Sequence, residues 1–315
     1  MASTELLSAR DLVVSYGDHM AVDGISFGVK PGEVVGLIGP DGAGKTSTLR
    51  VLGGLLKATS GKVTAFGDDC WRARRALHSR LGYLAQRFAL YGDLTVDENI
   101  QFFALMYGVP KWRTRRRELL ELVGLASFND RLADRLSGGM KQKLALACTL
   151  IHSPRALLLD EPTTGVDPVT RREFWRLLAD LVSEGLTLLV ATPYLDEAER
   201  CTRVLLMHEG AVLADSRPKE IPKLMPGTVV EVTATPRTTA IEVLSAHETV
   251  GDVSVFGTTL HVHLVGESDP VHSIREILDT RDVQVAEARV IPAGLEDAFL
   301  YLTRSSNESP STEAA

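Results

Sequence analysis

The sequence predicts an α/β protein with a mainly parallel core sheet, followed by a smaller α+β domain. Short apolar runs alternate with helical segments between residues 5 and 217, which is the pattern of parallel β-α-β units. Two of these runs lead directly into glycine-rich or acidic sequence, as strands do when their carboxyl ends form a ligand site. At 315 residues, 44% of them hydrophobic, the chain is long enough to bury one large core or two ordinary ones.

Charge and cysteine content narrow the class of protein. The formal net charge of −7 argues against a broad nucleic-acid surface, because neutralising phosphates requires a basic face. The three cysteines are odd in number and widely spaced, which is typical of a reducing compartment rather than of a disulfide framework. The amino terminus lacks a leader pattern and no uncharged apolar stretch approaches ~20 residues, so we expect a cytoplasmic protein that does not cross a membrane by itself.

The first elements are two short β-type runs, at 12–14 and 25–29, separated by the turn-forming pair Gly17-Asp18. They predict an antiparallel β subdomain at the start of the chain. Tyr16 lies between them, and its ring can stack on a purine base through the π face. Packing against other side chains is the alternative for a lone tyrosine.

A glycine-rich turn at 39–46 lies between the apolar run 34–38 and a helical segment. This is a P-loop in its required setting, in which backbone N–H groups and the positive end of the helix dipole meet phosphate oxygens. Lys45 would reach the β- and γ-phosphates, and the hydroxyl of Thr46 would bind Mg²⁺, an ion that prefers oxygen ligands. The predicted phosphate-binding residues are Gly39, Pro40, Asp41, Gly42, Ala43, Gly44, Lys45, Thr46 and Ser47.

The segment from about 88 to 155 reads as mostly helical and predicts an inserted helical subdomain. Gln86 lies just before it, at the end of the strand-like run 81–86, where an amide can reach Mg²⁺ or the attacking water. An ordinary polar strand end is the alternative for this residue. Within the insertion, the basic run 111–117 is either a surface for anionic headgroups or a membrane partner, or a solvated helix face.

A second glycine-bearing helix start occurs at 136–140. Ser137 reads as the N-cap of the helix that follows. Its hydroxyl and the N–H groups of Gly138 and Gly139 would form a second anion site, because helix amino termini favour anions. A plain helix cap is the alternative.

The apolar run 156–159 leads directly into Asp160 and Glu161. This predicts a buried parallel strand whose tip faces the phosphate site. Asp160 would hold Mg²⁺ through water, and Glu161 would take a proton from the water that attacks the γ-phosphate. A purely structural role is the alternative, and the P-loop upstream favours chemistry.

The predicted domain boundaries follow from the change of pattern after residue 217. We expect a first domain at 1–217, a proline-punctuated linker at 218–227, an accessory domain at 228–303 and a disordered tail at 304–315. The accessory domain reads β-α-β-β-α-β-α, an order that resembles a ferredoxin-like sandwich. His261 and His263 share a strand face and can bind a metal, but no third ligand is evident, which favours surface or packing roles.

Together these motifs resemble those of the nucleotide-binding subunit of an ABC transporter over roughly residues 5–217. The P-loop corresponds to the Walker A motif, 157–161 to Walker B, and 136–140 to the signature motif with methionine in the usual glutamine place. Tyr16 and Gln86 match the adenine-stacking aromatic and the Q-loop glutamine, and 165–167 matches the D-loop. The resemblance implies a P-loop NTPase fold that binds ATP with Mg²⁺ and hydrolyses it.

The resemblance also implies a role for each site residue. Glu161, Gln86 and Lys45 would be catalytic. The metal ligands would be Thr46, Gln86 and Asp160. Besides the P-loop, the nucleotide would contact Tyr16, Ser137, Gly138 and Gly139.

The same resemblance implies two protein partners. In this family two nucleotide-binding subunits pack head to tail, so that each ATP lies between one P-loop and the other subunit's signature serine. This implies a second nucleotide-binding subunit, as a homodimer. The motif sequences are most similar to those of bacterial drug and antibiotic exporters that have a separate permease chain. An integral membrane permease, efflux of drug-like or lipophilic substrates, and a cytoplasmic position on the inner face of the cell membrane follow as expectations.

Two other functions are consistent with parts of the sequence. A soluble ABC ATPase acting on nucleic acid or the ribosome would carry long coiled coils or two cassettes, and this sequence has neither. A nucleotide sensor without turnover would keep the P-loop but can lose Glu161, which is present here.

One position departs from the family pattern. Most members have a histidine that contacts the γ-phosphate where this chain has Pro193. Proline has neither a side-chain donor nor a backbone N–H, so Pro193 cannot make that contact. We expect slow hydrolysis by the isolated subunit. We also expect Pro193 to start the next helix, because proline is well tolerated in a first turn.

Overall fold

A computed structural model describes residues 5–86 and 90–308 of the chain. The chain divides into two compact units, Met1–Asp215 and Ser216–Ala315. Each unit is built around its own sheets, and the candidate site lies in the first.

The first unit alternates strands and helices along most of its length. Its strands are β1 (Leu7–Tyr16), β2 (His19–Val29), β3 (Val34–Ile38), β4 (Ser60–Ala65), β5 (Asp68–Asp69), β6 (Leu81–Leu84), β7 (Ala156–Asp160), β8 (Thr187–Thr192), β9 (Arg203–His208) and β10 (Ala211–Ser216). Its helices are α1 (Lys45–Leu52), α2 (Arg74–Leu77), α3 (Val96–Met106), α4 (Trp112–Leu122), α5 (Gly138–Leu150), α6 (Pro168–Ser183) and α7 (Leu195–Ala198).

The core sheet of this unit has six strands in the order β10-β9-β3-β8-β7-β6. The neighbours from β9 to β6 pair in parallel, which confirms the predicted α/β class. Every residue of β3, β7 and β8 is buried, as expected for strands covered on both faces of a parallel sheet. The carboxyl ends of β3, β7, β8 and β6 therefore meet at one edge, where a ligand site is expected.

A second sheet has four strands in the order β2-β1-β4-β5, and its pairs are antiparallel. This confirms the predicted antiparallel subdomain. Helix α1 contacts β1, β2 and β4 of this sheet and β7 and β8 of the core sheet. Because one helix is fixed by both sheets, its amino-terminal end has a defined position relative to both.

The insertion between β6 and β7 contains α3, α4 and α5, which contact one another, and the short 3₁₀ turns Ala126–Phe128 and Ala133–Arg135. Thr95 and Glu98 form a capping box that starts α3, because each side chain accepts a hydrogen bond from the other's backbone N–H. The basic run lies mainly on α4, where Arg116 pairs with Asp97 at 2.7 Å and Arg115 with Glu118 at 3.1 Å. Residues 88 and 89 of the predicted insertion lie outside the described residues.

The second unit contains β11 (Thr228–Thr235), α8 (Arg237–Ser245), β12 (Val250–Phe256), β13 (Thr259–Leu264), α9 (Pro270–Asp279), β14 (Gln284–Ile291) and α10 (Leu295–Glu308). This is the predicted order of elements, and its antiparallel sheet runs β12-β13-β11-β14. Kinship with ferredoxin-like domains stays a prediction. Nδ1 of His261 donates a 2.8 Å hydrogen bond to Oδ1 of Asp297, and the described residues contain no group of three metal-binding side chains.

Two predicted boundaries differ from the structure. The predicted linker 218–227 begins with a 3₁₀ helix, Pro218–Leu224, that contacts α10 and belongs to the second unit. The 3₁₀ helix accommodates these prolines, and its Ile221 is fully buried. Burial of this apolar side chain therefore outweighs the preference of proline for turns. Residues 304–308, predicted as tail, extend α10, and Arg304 pairs with Asp252. The prediction for 309–315 lies outside the described residues.

Within the described ranges, no helix combines the length and the apolar character that crossing a lipid bilayer requires.

Candidate nucleotide site

The P-loop connects the end of β3 to the start of α1. The backbone N–H of Gly39 donates to the carbonyl oxygen of Thr192 at 3.4 Å, which anchors the loop to the neighbouring strand β8. Gly44 is the N-cap of α1 with a φ of 96°, and a Cβ atom there would lie 2.4 Å from the carbonyl oxygen of Ala21. Only glycine fits both constraints, so the backbone can turn sharply and present its N–H groups at the helix start.

Lys45 is the first residue of α1 and is only 4% exposed. Its ammonium donates hydrogen bonds of 2.8 Å to the carbonyl oxygens of Gly39 and Pro40, so the charge is held inside the loop. Burial lowers the pKa of Lys45, and the nearby carboxylates of Glu161, Asp41 and Asp160 oppose that shift. The arrangement places a cation beside the N–H groups that would bind phosphate.

Thr46 and Asp160 are brought together from α1 and the end of β7. The hydroxyl of Thr46 donates to Oδ1 of Asp160 at 2.8 Å, and the phenol of Tyr83 donates to Oδ2 at 3.0 Å. Asp160 is 2% exposed, so these two donors fix an otherwise costly buried carboxylate. Burial, together with Asp160, raises the pKa of Tyr83, which therefore stays a donor.

Sequence reasoning missed Tyr83. The signal was its position on β6, beside the strand that ends in Asp160, where Tyr83 pairs with Leu158. Tyr83 lies three residues before Gln86, on the strand next to β7. Its contact with the Asp160 carboxylate can be predicted only when the strand order is known.

A hydroxyl and a carboxylate oxygen in contact suit Mg²⁺, which binds oxygen ligands from protein, water and phosphate together. The described residues contain no cluster of three His, Cys, Asp or Glu side chains placed for a metal. The residues present therefore fit a magnesium ion that needs phosphate and water to complete its shell. Thr46 and Asp160 are the side chains that would hold it.

Glu161 follows β7 and is held in a strained conformation. Its φ is 48°, in the left-handed region that non-glycine residues rarely adopt, and its N–H donates to the carbonyl oxygen of Ala191 at 2.8 Å. Oε2 accepts hydrogen bonds from Gln86 Nε2 at 2.7 Å and from the hydroxyl of Thr164 at 3.1 Å. The structure therefore brings Gln86 to Glu161, and a direct bond from Gln86 to the metal stays a prediction.

A cavity opens in front of the P-loop. It is lined by Tyr16, His19, Ala21, Asp41, Gly42, Ala43, Gly44, Lys45, Thr46, Ser47 and Glu161. Tyr16 is half-exposed at the end of β1, and its hydroxyl lies 3.2 Å from Oγ of Ser47. His19, which sequence reasoning missed, pairs with Tyr16 across the β1–β2 turn. The cavity thus joins the phosphate loop to an aromatic ring suited to base stacking.

The predicted second anion site lies at the start of α5. Ser137 is the N-cap, as predicted, and its Oγ accepts from the N–H of Met140 at 3.3 Å. Ser137 and Gly138 are exposed, whereas Gly139 is buried against Thr170. None of the three lines the P-loop cavity of the same copy in the part of the chain that the structure describes.

The segment after β8 contains the departure from the family pattern. Helix α7 begins at Leu195 with Tyr194 as N-cap, so the expectation that Pro193 occupies the first turn of a helix is wrong. The N–H of Tyr194 donates to Oγ1 of Thr192 at 3.1 Å, and the Arg171 guanidinium lies 4.3 Å from the centre of the Tyr194 ring. These contacts fix a tight turn at Pro193, and the helix starts only after it.

Comparisons with known proteins identify relatives of this chain. The profile of the family described as ABC transporter matches residues 22–164. The probable multidrug ABC transporter ATP-binding protein YbhF of Escherichia coli K12 is 49% identical over 212 residues, which cover 67% of this chain and 37% of that protein's length. The Nod factor export ATP-binding protein I of Paraburkholderia xenovorans LB400 is 37% identical over 295 residues, covering 92% of this chain and 94% of that protein.

A solved structure has a fold similar to that of most of this chain. The dimeric structure of a bacterial ABC transporter cassette superposes with a TM-score of 0.61 at 27% sequence identity. The superposition covers 67% of this chain and 98% of that cassette. The similarity therefore has the extent of one cassette.

Proposed function

The chain belongs to the ABC transporter family, as its motifs predicted, and from this membership we propose that it binds and hydrolyses Mg-ATP as the ATP-binding subunit of an exporter. The alignment with YbhF covers only 37% of that protein, so the activity, substrate and partners of the whole assembly are part of the proposal. The observation that carries it is the joining of the P-loop, Asp160 and Glu161 at one edge of the core sheet.

Each of these residues has a defined task in the proposed reaction. Lys45 and the loop N–H groups bind the phosphates, because a buried cation and oriented amides stabilise their charge. Mg²⁺, held by Thr46 and Asp160, would neutralise charge that develops on the phosphate oxygens. The carboxylate of Glu161, held through Oε2 by Gln86 and Thr164, accepts the proton of the attacking water.

We propose that the working unit is a homodimer. Ser137 and Gly138 are exposed and do not line the P-loop cavity of their own copy, so a second copy is needed to use them as phosphate ligands. A cassette determined as a dimer superposes with 67% of this chain and supports this arrangement.

We propose further that the dimer acts beneath a separate integral membrane permease, at the inner face of the cell membrane. The names of the relatives, a probable multidrug ABC transporter ATP-binding protein and a Nod factor export ATP-binding protein, support export as the task and a drug-like or lipophilic cargo. The net charge of −7 disfavours the alternative of an ATPase that acts on nucleic acid or the ribosome.

The decisive variant for hydrolysis is Glu161→Gln. The amide keeps the shape of the side chain and cannot accept the proton, so we expect at least about 100-fold slower turnover with ATP still bound. Size-exclusion chromatography with Mg-ATP should then show a stable dimer, because the phosphate contacts remain. Glu184→Gln, which removes an exposed carboxylate after α6, is the matched control and should turn over ATP normally. A monomeric Glu161→Gln protein, or one as fast as the parent, would contradict the proposal.

Partner identity requires a separate experiment. The Glu161→Gln chain, affinity-tagged and purified with Mg-ATP from detergent-solubilised cells of its source, should carry an integral membrane protein in stoichiometric amount. Recovery of ribosomes or nucleic acid in place of a membrane protein would favour the soluble class of ABC ATPase.

A further inference from the structure

Glu197 is a carboxylate that is completely buried yet has no role in the reaction described above. It lies on α7 and is 0% exposed. Oε1 accepts hydrogen bonds from the hydroxyl of Thr163 and from the indole N–H of Trp175, the latter at 3.0 Å. Among the described residues, Oε2 has no hydrogen-bond partner. Burying a carboxylate in this way is costly, so its retention needs a reason.

Charge pairing with Arg171 is long and shared, so it supplies only part of that reason. Arg171 is the nearest cation, and its Nε lies 3.9 Å from Oε1 of Glu197. The same guanidinium donates to Asp196 at 3.4 Å and stacks on Tyr194, so it is shared among three groups. Within the described residues, the direct hydrogen bonds to the Glu197 carboxylate come from two neutral donors, of which Thr163 is close to the reaction.

Thr163 belongs to the strained turn that presents Glu161. The carbonyl oxygen of Glu161 accepts from the N–H of Thr164 at 3.3 Å, and that of Thr163 accepts from Val166 at 3.1 Å. Residue 164 in turn donates its hydroxyl to the Glu161 carboxylate. A left-handed, non-glycine residue persists only where its surroundings hold it, and the bond from Thr163 to Glu197 is one of those restraints.

Glu197 is also tied to the second segment that faces the P-loop. It follows Pro193 by four residues, and the carbonyl oxygen of Thr192 accepts from the N–H of Gly39 in the loop itself. Glu161 is anchored to the same strand, because its N–H donates to Ala191. One buried side chain therefore connects the turn after β7 with the turn after β8.

We propose that Glu197 is a positioning residue for ATP hydrolysis. Its carboxylate fixes the Thr163 hydroxyl, which holds the turn that places the Glu161 carboxylate at the phosphate site. This inference rests on the proposed ATPase function. In this role Glu197 contacts neither nucleotide, metal nor water. Its loss should therefore lower the rate of the chemical step and leave nucleotide affinity unchanged.

The test compares two buried threonines by steady-state kinetics. Thr163→Val removes the hydroxyl at nearly constant volume, and Thr163→Ser restores it. Thr187→Val is the matched control, because Thr187 is also 1% exposed and accepts a hydrogen bond from Gly32 at the opposite end of β8. Melting temperatures are measured for all variants, so that a general loss of stability is visible.

We expect Thr163→Val to lower kcat about 10- to 100-fold with KM for ATP within about 3-fold, because small misplacement of a catalytic group has effects of this size. Thr163→Ser should recover at least about half of the parent kcat, and Thr187→Val should leave kcat unchanged even if its melting temperature falls as far. Adding Glu197→Leu, which removes the acceptor oxygen, to Thr163→Val should lower kcat little further, because both changes break the same contact.

The outcomes separate this inference from the proposed function. A parent chain with Mg-dependent turnover and a Thr163→Val variant of equal kcat would overturn the inference alone. Equal losses of kcat in Thr163→Val and Thr187→Val would also overturn it, since the effect would then be one of stability. A parent chain without ATP turnover would overturn the proposed function and this inference with it.

Discussion

The P-loop and the Ser137 segment are both glycine-bearing helix starts, but they differ in what surrounds them. Lys45 is buried and bonded within its loop, and the neighbouring Thr46 is bonded to a carboxylate from another strand. Ser137 and Gly138 are exposed, and the serine hydroxyl accepts a hydrogen bond from the backbone N–H of Met140 in its own helix. The P-loop site is therefore formed within one chain, whereas the Ser137 segment, in the part of the chain that the structure describes, lies outside the chain's own P-loop cavity.

This difference shows which part of the site one copy can supply. Both segments follow the same local rule, in which a helix amino terminus offers N–H groups to an anion. Only the P-loop also has side chains from β6 and β7 arranged around it. Binding of ATP should therefore depend on the P-loop in a single copy, and turnover should depend on both segments.

The largest effect on binding is expected from Lys45→Ala. A buried contact between opposite charges is worth up to about 3 kcal/mol, so ATP affinity should fall by about 100-fold. Isothermal titration with Mg-ATP at concentrations that keep the chain monomeric measures it. Lys57→Ala, an exposed lysine beyond the other end of α1, is the control for the loss of one positive charge. Unchanged ATP binding by Lys45→Ala would mean that the loop binds phosphate without this cation.

A smaller effect, on turnover alone, is expected from Ser137→Ala. A hydroxyl donated to an anion is worth about 1.5 kcal/mol, so kcat should fall by about 10-fold while the monomer binds ATP normally. Thr95→Ala is the matched control, because it removes the N-cap of α3 in the same subdomain at a similar cost in helix stability. If the two variants lose turnover equally, Ser137 is only a helix cap and the comparison above fails.

The contrast also shows what could be predicted from the sequence. The P-loop, Asp160 and Glu161 were predictable because strand, turn and helix are contiguous there, so local pattern fixes their chemistry. The contact of Tyr83 with Asp160 joins residues 77 positions apart, and that of Thr163 with Glu197 joins residues 34 apart. Such contacts depend on strand order and helix packing, which no local pattern contains.

Boundaries were harder to predict than motifs for a related reason. The three prolines after residue 217 read as a linker, but the apolar side chains of Ile221 and Met225 are buried and fold that segment into the second unit. The predicted disordered tail begins at residue 304, although residues 304–308 continue a helix whose apolar residues begin at Leu295. In both cases burial of a few apolar side chains outweighed composition.

The smallest effect is expected from Pro193→His. Pro193 follows Thr192, whose carbonyl oxygen accepts from Gly39 of the P-loop, so a side chain at this position lies beside the loop. The neighbouring Tyr194 is stacked with Arg171 and capped by Thr192, which leaves it poorly placed to replace the missing donor. The Pro193→His variant would supply one hydrogen bond, worth about 0.5–1.5 kcal/mol, and should raise kcat about 2- to 10-fold.

Pro193→Ala separates the side chain from the backbone in that experiment. Alanine restores a backbone N–H and releases φ, but it brings no side-chain donor, so its kcat should stay near that of the parent. Steady-state ATPase rates are compared at saturating Mg-ATP, with melting temperatures and ATP affinities matched among the three proteins. Equal rates for parent and Pro193→His would show that this architecture hydrolyses ATP without a side-chain donor after β8. An increase shared by both variants would assign the effect to backbone freedom at residue 193, and only an increase confined to histidine supports the missing contact.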